Sequence, residues 1–505
     1  MDRTNVGRTA RPAARRTTPS LRERAAEVLW ANWTGTSTVP SRRLYPHQWS
    51  WDSAFIAIGL RHLSPLRAQL ELETLLAAQW GDGRVPHIVF NPSVPPDAYF
   101  PGPDFWRSTT AGRPAGAPGA IQTSGIVQPP VHALAVWLVH RADPALSRAR
   151  SFLARAHPRL AAWHRYLRLR RDQGGAGLVA VIHPWEQGMD NSPCWDAPLS
   201  RVTPADPAAY RRADLDHGAP EDRPTDLDYG RYVRLAAAYR DRRYADGTAG
   251  LHDKPGDSPS TSADFTSTHA EFVPTQGEFA VEDPSFNALL IASEHALARI
   301  EAELGLRDAS GVREAGARAL TRTLVERLWD PADGLFLCRD LRAGAPVPER
   351  GVGGLVPLIL PALPAPVATA LVRTMCGPHF GLGGPARLVP SYDLTAGAFD
   401  PRRYWRGPAW FNTNWLLERG LRLHGERARA EGLRRTLLDV AGESGFAEYV
   451  DPYTGRGRGA RGFGWSAALA LDLLLDDPAG REEEPHRRPA EGPAVAVTRE
   501  RFGDD

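Results

Sequence analysis

The chain has 505 residues, 42% hydrophobic and 24% charged, as in a globular protein with one large domain or a few average ones. Its 61 basic and 59 acidic residues leave a formal charge of +2, which supplies no electrostatic reason for nucleic acid or membrane-surface partners. Three cysteines, Cys194, Cys338 and Cys376, are widely spaced and lack a CxxC pair, so neither a disulfide framework nor a thiolate metal site is indicated, and a reducing cytoplasm fits.

The amino end, MDRTNVGRTARPAARRTTPS, is basic without an apolar core, so it is not a secretory signal, and residues 1–20 are expected to be a disordered arm. Apolar residues then recur at helical spacing in LRERAAEVLWANW (21–33), SAFIAIGLRHL (53–63), LRAQLELETLLAAQW (66–80) and VHALAVWLVHRA (131–142). The pattern continues through 146–171, 229–243, 285–300 and 312–329. GLFLCRD (334–340) reads as one short strand. Helical spacing returns at 364–376, 409–425, 428–442 and 466–476. The stretch 477–505 is expected to be a disordered tail, leaving 21–476 as the folded domain. No run of ~18 apolar residues predicts a membrane span.

About a dozen helices and few strands make an all-α chain. The connections near 82–125, 172–225, 244–283 and 377–407 are too long for a compact bundle unless they are functional. Helices with such loops suggest two concentric rings, with the long loops forming a pocket at one face.

The loops and helix entrances hold peptides dense in groups that grip a polyol: YPHQWSWDSAF (45–55), YFPGPDFW (99–106), IVQPPVHA (126–133) and HPWEQGMDNSPCWD (183–196). RPTDLDYGRY (223–232), YWRGPAWFNTNW (404–415) and FAEYVDPYTGRG (446–457) extend the set. The 15 tryptophans suit stacking on sugar C–H faces, though a large core also uses them. Cleaving a glycosidic bond needs two carboxyl groups, one acid and one base or nucleophile. Asp190 lies in a turn before Asn191-Ser192-Pro193 and between Trp185 and Trp195, where burial would raise its pKa. Glu448 sits in a short extended piece ended by an Asp-Pro turn. The plainer readings are a turn aspartate and a solvated glutamate.

The motifs WxWDSAF, HPWExGxDNSPxWD, YWRGPxW and FxEYxDPxTGxGxG, in that order from about Tyr45 to Leu469, resemble glycoside hydrolase family 63 and its mannosylglycerate/glucosylglycerate hydrolase branch. The resemblance implies an (α/α)6 toroid and an inverting, exo-acting α-glycosidase, with Asp190 as general acid and Glu448 as general base. It implies sugar contacts from Asp52, with Trp49 and Trp51 as walls, and from Trp185, Glu186, Tyr404, Trp405 and Arg406. Glu186 would line the pocket or stand just behind a residue that does, where its like charge would help keep Asp190 protonated, whereas Asp196 reads as a structural anchor. The aglycone side would use Arg223, Tyr229, Gln128, Tyr45 and Tyr99, with glycerate as the favoured leaving group. Gln187 departs from the small residue, usually Ser, of the family pattern. For Arg406 the plainer reading is a core-edge salt bridge, for Arg223 a pair with Asp226 or Asp228, for Asp52 an N-cap.

Two other readings stay open: an α-glucosidase or debranching-type enzyme for maltose- or trehalose-like sugars, and a catalytically inactive carbohydrate-binding relative. A polyprenyl- or peptide-binding helical toroid fits less, because such rings do not need the sugar-type peptides. GRGARG (457–462) fits GxGxxG but lacks a βαβ setting, and the histidines show no ligand spacing, so no cofactor or metal is expected. A small carbohydrate is the expected partner, and the sequence is compatible with a homo-oligomer.

Overall fold

A helix that is apolar on every face has to be surrounded by protein, whereas one apolar stripe suffices at the periphery. The computed structural model describes residues 19–216, 220–246 and 277–476, and sorts its helices in this way. Residues 1–18 of the expected arm and all of the expected tail lie outside the described residues. The described residues up to Leu474 form one compact unit; Leu475 and Asp476 are the described residues of a second, Leu475–Asp505.

Twelve α-helices have eleven residues or more among the described residues. They are α1 (Leu21–Ala31), α2 (Ser50–Leu60), α3 (Pro65–Ala77), α4 (His132–Ala142), α5 (Phe152–Arg170) and α6 (Asp226–Asp241). After them come α7 (Pro284–Glu303), α8 (Arg307–Leu328), α9 (Ala365–Cys376), α10 (Phe411–Leu423), α11 (Arg427–Ser444) and α12 (Gly464–Leu475). No described helix is long and apolar enough to cross a membrane.

Every residue of α2 is buried, as are most of α7, α10 and α12, while α1, α8 and α11 bury one stripe. The buried elements close a ring. Helix α2 packs on α4, α4 on α7, α7 on the 3-10 turn Val356–Ile359, and that turn on α10. Trp415 of α10 then donates its indole N–H to Asp472 of α12 at 2.9 Å, and Ala468 of α12 faces Gly59 of α2. Outer helices alternate with these along the chain: α3 lies on α2 and α4, α5 on α4 and α7, α8 on α7, and α11 on α10. With α1 and α9 they complete six outer and six inner elements, an (α/α)6 toroid. Helix α6 stands outside this alternation, in the long connection from α5 to α7.

The fourth inner element in chain order contains no α-helix. Its sequence, GVGGLVPLIL, holds three glycines and a proline, so it forms two 3-10 turns, Val352–Gly354 and Val356–Ile359. The expected helix over 146–171 is interrupted where Ser151 takes φ 51, giving Pro144–Ala149 and then α5. The expected strand over 334–340 is two short strands, Leu335–Phe336 and Arg339–Asp340.

Two-residue strands pin the entrances of the inner helices. Gln48–Trp49, just before α2, pairs antiparallel with Ile88–Val89. Ala409–Trp410, just before α10, pairs with Tyr449–Val450, which pairs in turn with Gly457–Arg458. These pairings bring segments distant in sequence to one end of the ring.

Closure between α2 and α12 needs a glycine. A Cβ on Gly59 would fall 2.2 Å from the Ala468 carbonyl oxygen, and no side chain is there to move aside. Gly59→Ala is expected to destabilise the chain by about 3 kcal/mol, the upper part of the overpacking range, read as a lowered midpoint in urea unfolding.

Candidate active site

The loop carrying Asp190 is built from local rules. His183 starts the short helix Pro184–Gln187, its Nδ1 accepting the Trp185 N–H at 3.0 Å while Nε2–H reaches the Tyr232 carbonyl at 2.9 Å. Burial lowers the His183 pKa to about 3, so the ring is neutral and can fill both roles. Gly188 ends the helix at φ +80; a Cβ there would meet the Trp51 ring at 2.5 Å. Trp195 Nε1–H donates to the Met189 carbonyl at 2.7 Å, and the Tyr232 hydroxyl donates to the Asp190 carbonyl. The side chain of Asp190 is left facing a cavity of ≈ 780 Å³, a volume that includes its open mouth.

The Asp190 carboxyl has a pKa of about 7. Burial among aromatic walls raises it, Arg223 pulls it down, and the negative charges of Glu448 and Asp214 push it up again. It therefore holds its proton near neutral pH. Asp52, in the first turn of α2, lines the same cavity, and its pKa also lies well above the ordinary range, through burial first and the Glu448 charge after it.

Glu448 is arranged as an acceptor. It is 1% exposed and precedes the strand Tyr449–Val450. Tyr45 donates its hydroxyl to Oε1 at 2.9 Å, and Tyr404 to the same oxygen at 3.4 Å. Oε2 accepts the Ala460 N–H at 3.0 Å, and Arg223 Nη2 stands 4.0 Å from it. Burial raises the pKa values of Tyr45 and Tyr404, which keeps both phenols protonated as donors. The GRGARG peptide thus serves as backbone support for Glu448 through Ala460.

Aromatic edges make the walls. Trp49 meets Tyr45, His87 and Tyr99 edge-on at 5.3, 4.6 and 5.3 Å between ring centroids, and Trp51 meets Trp465 edge-on at 5.3 Å. Gln128 uses its carbonyl to accept the Trp51 N–H at 3.1 Å. Tyr229 donates to the Phe100 carbonyl at 3.1 Å and stacks under the Arg212 guanidinium at 4.2 Å. Arg223 lies 4.8 Å over the Tyr404 ring and donates to the Tyr45 hydroxyl at 3.1 Å. It does not pair with Asp226 or Asp228, whose partners are Arg212 and Arg231.

One cavity therefore gathers Asp190 and Glu448 with Tyr45, Trp49, Trp51, Asp52 and Tyr99, and from further along the chain Gln128, Trp185, Arg223, Tyr229 and Tyr404. Three expected sugar contacts are not on it. Glu186 lies behind the wall, fully buried, with Arg171 on both carboxylate oxygens at 2.7 and 2.9 Å. It also accepts the Ile182 and Val127 N–H groups, so it joins the backbones that lead to Trp185 and Gln128. The charges that keep Asp190 protonated are those of Glu448 and Asp214. Trp405 is buried, stacked flat on Trp410 at 3.8 Å and 2°. Arg406 grips Asp196 with two hydrogen bonds of 2.9 and 2.6 Å, the salt bridge of the plainer reading.

The cavity also includes residues not singled out from sequence: His87, Asp214, Trp410, Phe463 and Trp465. Trp410 stood within the YWRGPAW peptide and carried the signal of its neighbours. His87 and Asp214 sit in long loops with no motif around them. Gln187 points away from this cavity, donating to Asp283 at 3.4 Å beside a smaller void of ≈ 290 Å³.

Two carboxyl groups in an aromatic cleft, one holding a proton and one ready to accept, are the equipment of a glycoside hydrolase. Residues 45–466 match the model of the mannosylglycerate hydrolase MGH1-like glycoside hydrolase domain, and the chain belongs to that family. It is 41% identical over 455 residues to the mannosylglycerate hydrolase of Rubrobacter radiotolerans, covering 90% of this chain and 96% of that protein. It is 37% identical over 470 residues to the glucosylglycerate hydrolase of Mycolicibacterium hassiacum, covering 91% of this chain and 98% of that protein. It superposes with TM-score 0.76 and 39% identity on the crystal structure of the family 63 mannosylglycerate hydrolase of Thermus thermophilus in complex with Tris and D-glycerate. That match covers 90% of this chain and all (100%) of the other.

The Arg171–Glu186 pair is buried behind the cavity wall. Arg171→Met would leave the Glu186 charge buried without its partner and is expected to destabilise the chain by about 3–5 kcal/mol, measured by urea unfolding.

Proposed function

We propose that this glycoside hydrolase cleaves a small α-glucoside or α-mannoside of glycerate by inversion, with Asp190 as acid and Glu448 as base. The observation that carries the reading is the division of labour in one cavity: a carboxyl with a pKa of about 7 faces the same space as a carboxyl held by two phenols and a backbone N–H. In the step, Asp190 gives its proton to the glycosidic oxygen as the bond to the anomeric carbon breaks. Water attacks that carbon from the opposite face and passes a proton to Glu448. Free sugar and glycerate result, with the anomeric configuration inverted, and the carboxyls should stand ~6.5–9.5 Å apart to admit the water.

The names of the relatives support the substrate class, since they hydrolyse mannosylglycerate or glucosylglycerate by name, and one was crystallised with D-glycerate. Arg223 is the cation for the glycerate carboxylate, with Tyr45, Tyr99, Tyr229 and Gln128 as its polar surround. Asp52, protonated by its environment, donates to a sugar hydroxyl, and Trp49, Trp51 and Trp185 bound the ring. Cys194, Cys338 and Cys376 are free thiols, as a cytoplasmic enzyme would have.

Purified protein should release glucose or mannose from the glycerate glycosides and leave maltose and trehalose intact; the reverse preference would overturn the substrate assignment. Proton NMR should show the β-anomer first, and an α-product would exclude inversion. Asp190→Asn and Glu448→Gln should each lower kcat about 10²–10⁴-fold, the usual range for a general acid or base, while the chain still folds. Because Asp190 acts protonated, kcat/KM should fall as pH rises through about 7. Arg223→Ala should raise KM and move that fall to higher pH, since Arg223 holds the Asp190 pKa down.

A further inference from the structure

We propose that the tripeptide Tyr404-Trp405-Arg406 is the spacer that fixes the two carboxyls relative to one another, and that Arg406 is a positioning residue for Asp190. The inference rests on the reading of Asp190 and Glu448 as the acid–base pair. At one end of the tripeptide, the Tyr404 hydroxyl lies 3.4 Å from Glu448 Oε1 and 3.1 Å from the Tyr45 hydroxyl, within reach of both. At the other end, the segment holds the residue next to Asp190 by both its backbone and its side chain. The Trp405 N–H donates to Asn191 Oδ1 at 2.8 Å, and Arg406 Nη1 to the Asn191 carbonyl at 3.2 Å. The Arg406 fork then closes on Asp196, so the loop is clamped on both sides of the turn Pro193–Trp195.

The spacer is itself rigid. Tyr404 has φ 44, a left-handed conformation that a tyrosine keeps only where its surroundings over-determine it. Its carbonyl accepts the Trp410 indole N–H at 3.1 Å, and Trp410 lies flat against Trp405. The Arg406–Asp196 pair adds little stability, because half of the Asp196 side chain is exposed (50%). What it supplies is geometry: a misplacement near 1 Å can lower a rate on the order of 10²-fold. No sugar contact is required of Arg406.

The test compares two leaving groups in the full chain. An alkoxide such as glycerate needs protonation by Asp190, whereas fluoride in an α-glucosyl or α-mannosyl fluoride departs with little help. Arg406→Ala should lower kcat on the glycerate glycoside on the order of 10²-fold with KM nearly unchanged, and leave kcat on the glycosyl fluoride close to wild type. Arg406→Lys, which keeps the charge but loses the fork, should fall between. Equal losses on both substrates, or no loss on the glycoside, would overturn the proposal. If Arg406→Ala fails to fold, Asp196→Ala removes the same clamp from its exposed side and carries the same two-substrate comparison. Asp190→Asn separates the two levels of argument. Full glycoside turnover in Asp190→Asn overturns the acid assignment and this inference with it. Lost turnover there beside an unaffected Arg406→Ala overturns the spacer alone.

Discussion

The burial of the Glu448 carboxylate is the constraint around which the rest of this molecule is arranged. A charge that has left water has to be met by donors from the protein. Here they come from four places in the chain: the hydroxyls of Tyr45 and Tyr404, the N–H of Ala460, and the guanidinium of Arg223 nearby. None of these lies in the same helix as another. Satisfying one carboxylate therefore requires the loop before α2, the loop before α6, the entrance of α10 and the loop before α12 to meet at one point. The same convergence creates the cavity and brings Asp190 into it.

The toroid allows this convergence without opening the core. Inner helices that are apolar on all sides pack against neighbours on both flanks, and their entrances end up around a common axis. Short strand pairs at those entrances, such as Gln48–Trp49 with Ile88–Val89, fix where each entering loop stands. Edge-on aromatic contacts then fill the spaces between loops, and these contacts keep indole and phenol rings at defined angles instead of letting them collapse. Long loops are thus needed because each must reach from an outer helix across the ring face to the axis.

Much of this was legible in the residues. The run SAFIAIGLRHL reads as a helix, and the helix that forms, Ser50–Leu60, begins early enough to put Trp51 and Asp52 of its first turn in the cavity. The peptides around Asp190 and Glu448 carry their own turn and strand signals. The fourth inner element was not legible, because GVGGLVPLIL lacks helical propensity and acquires its place from packing on α7 and α10. Which alternative Glu186 and Arg406 take was not legible for a related reason. A charged residue in an aromatic motif points to ligand only if its charge is unmatched, and the partners Arg171 and Asp196 sit in other segments. His87 and Asp214 reach the cavity through loop conformation, which has no periodicity to read.

Ring closure also has a time axis. Tyr45 and Glu448, which share a hydrogen bond, are 403 residues apart. At a synthesis rate of 5–20 residues per second, about 20–80 s separate their emergence from the ribosome. Throughout that interval Ala468 of α12, the residue that Gly59 of α2 packs against, has not yet been made. A helix buried on every side is thus translated early and sheltered late. The nascent chain carries an open seam until α12 is delivered, and the pocket is complete only once the segments around Glu448 and Trp465 have followed.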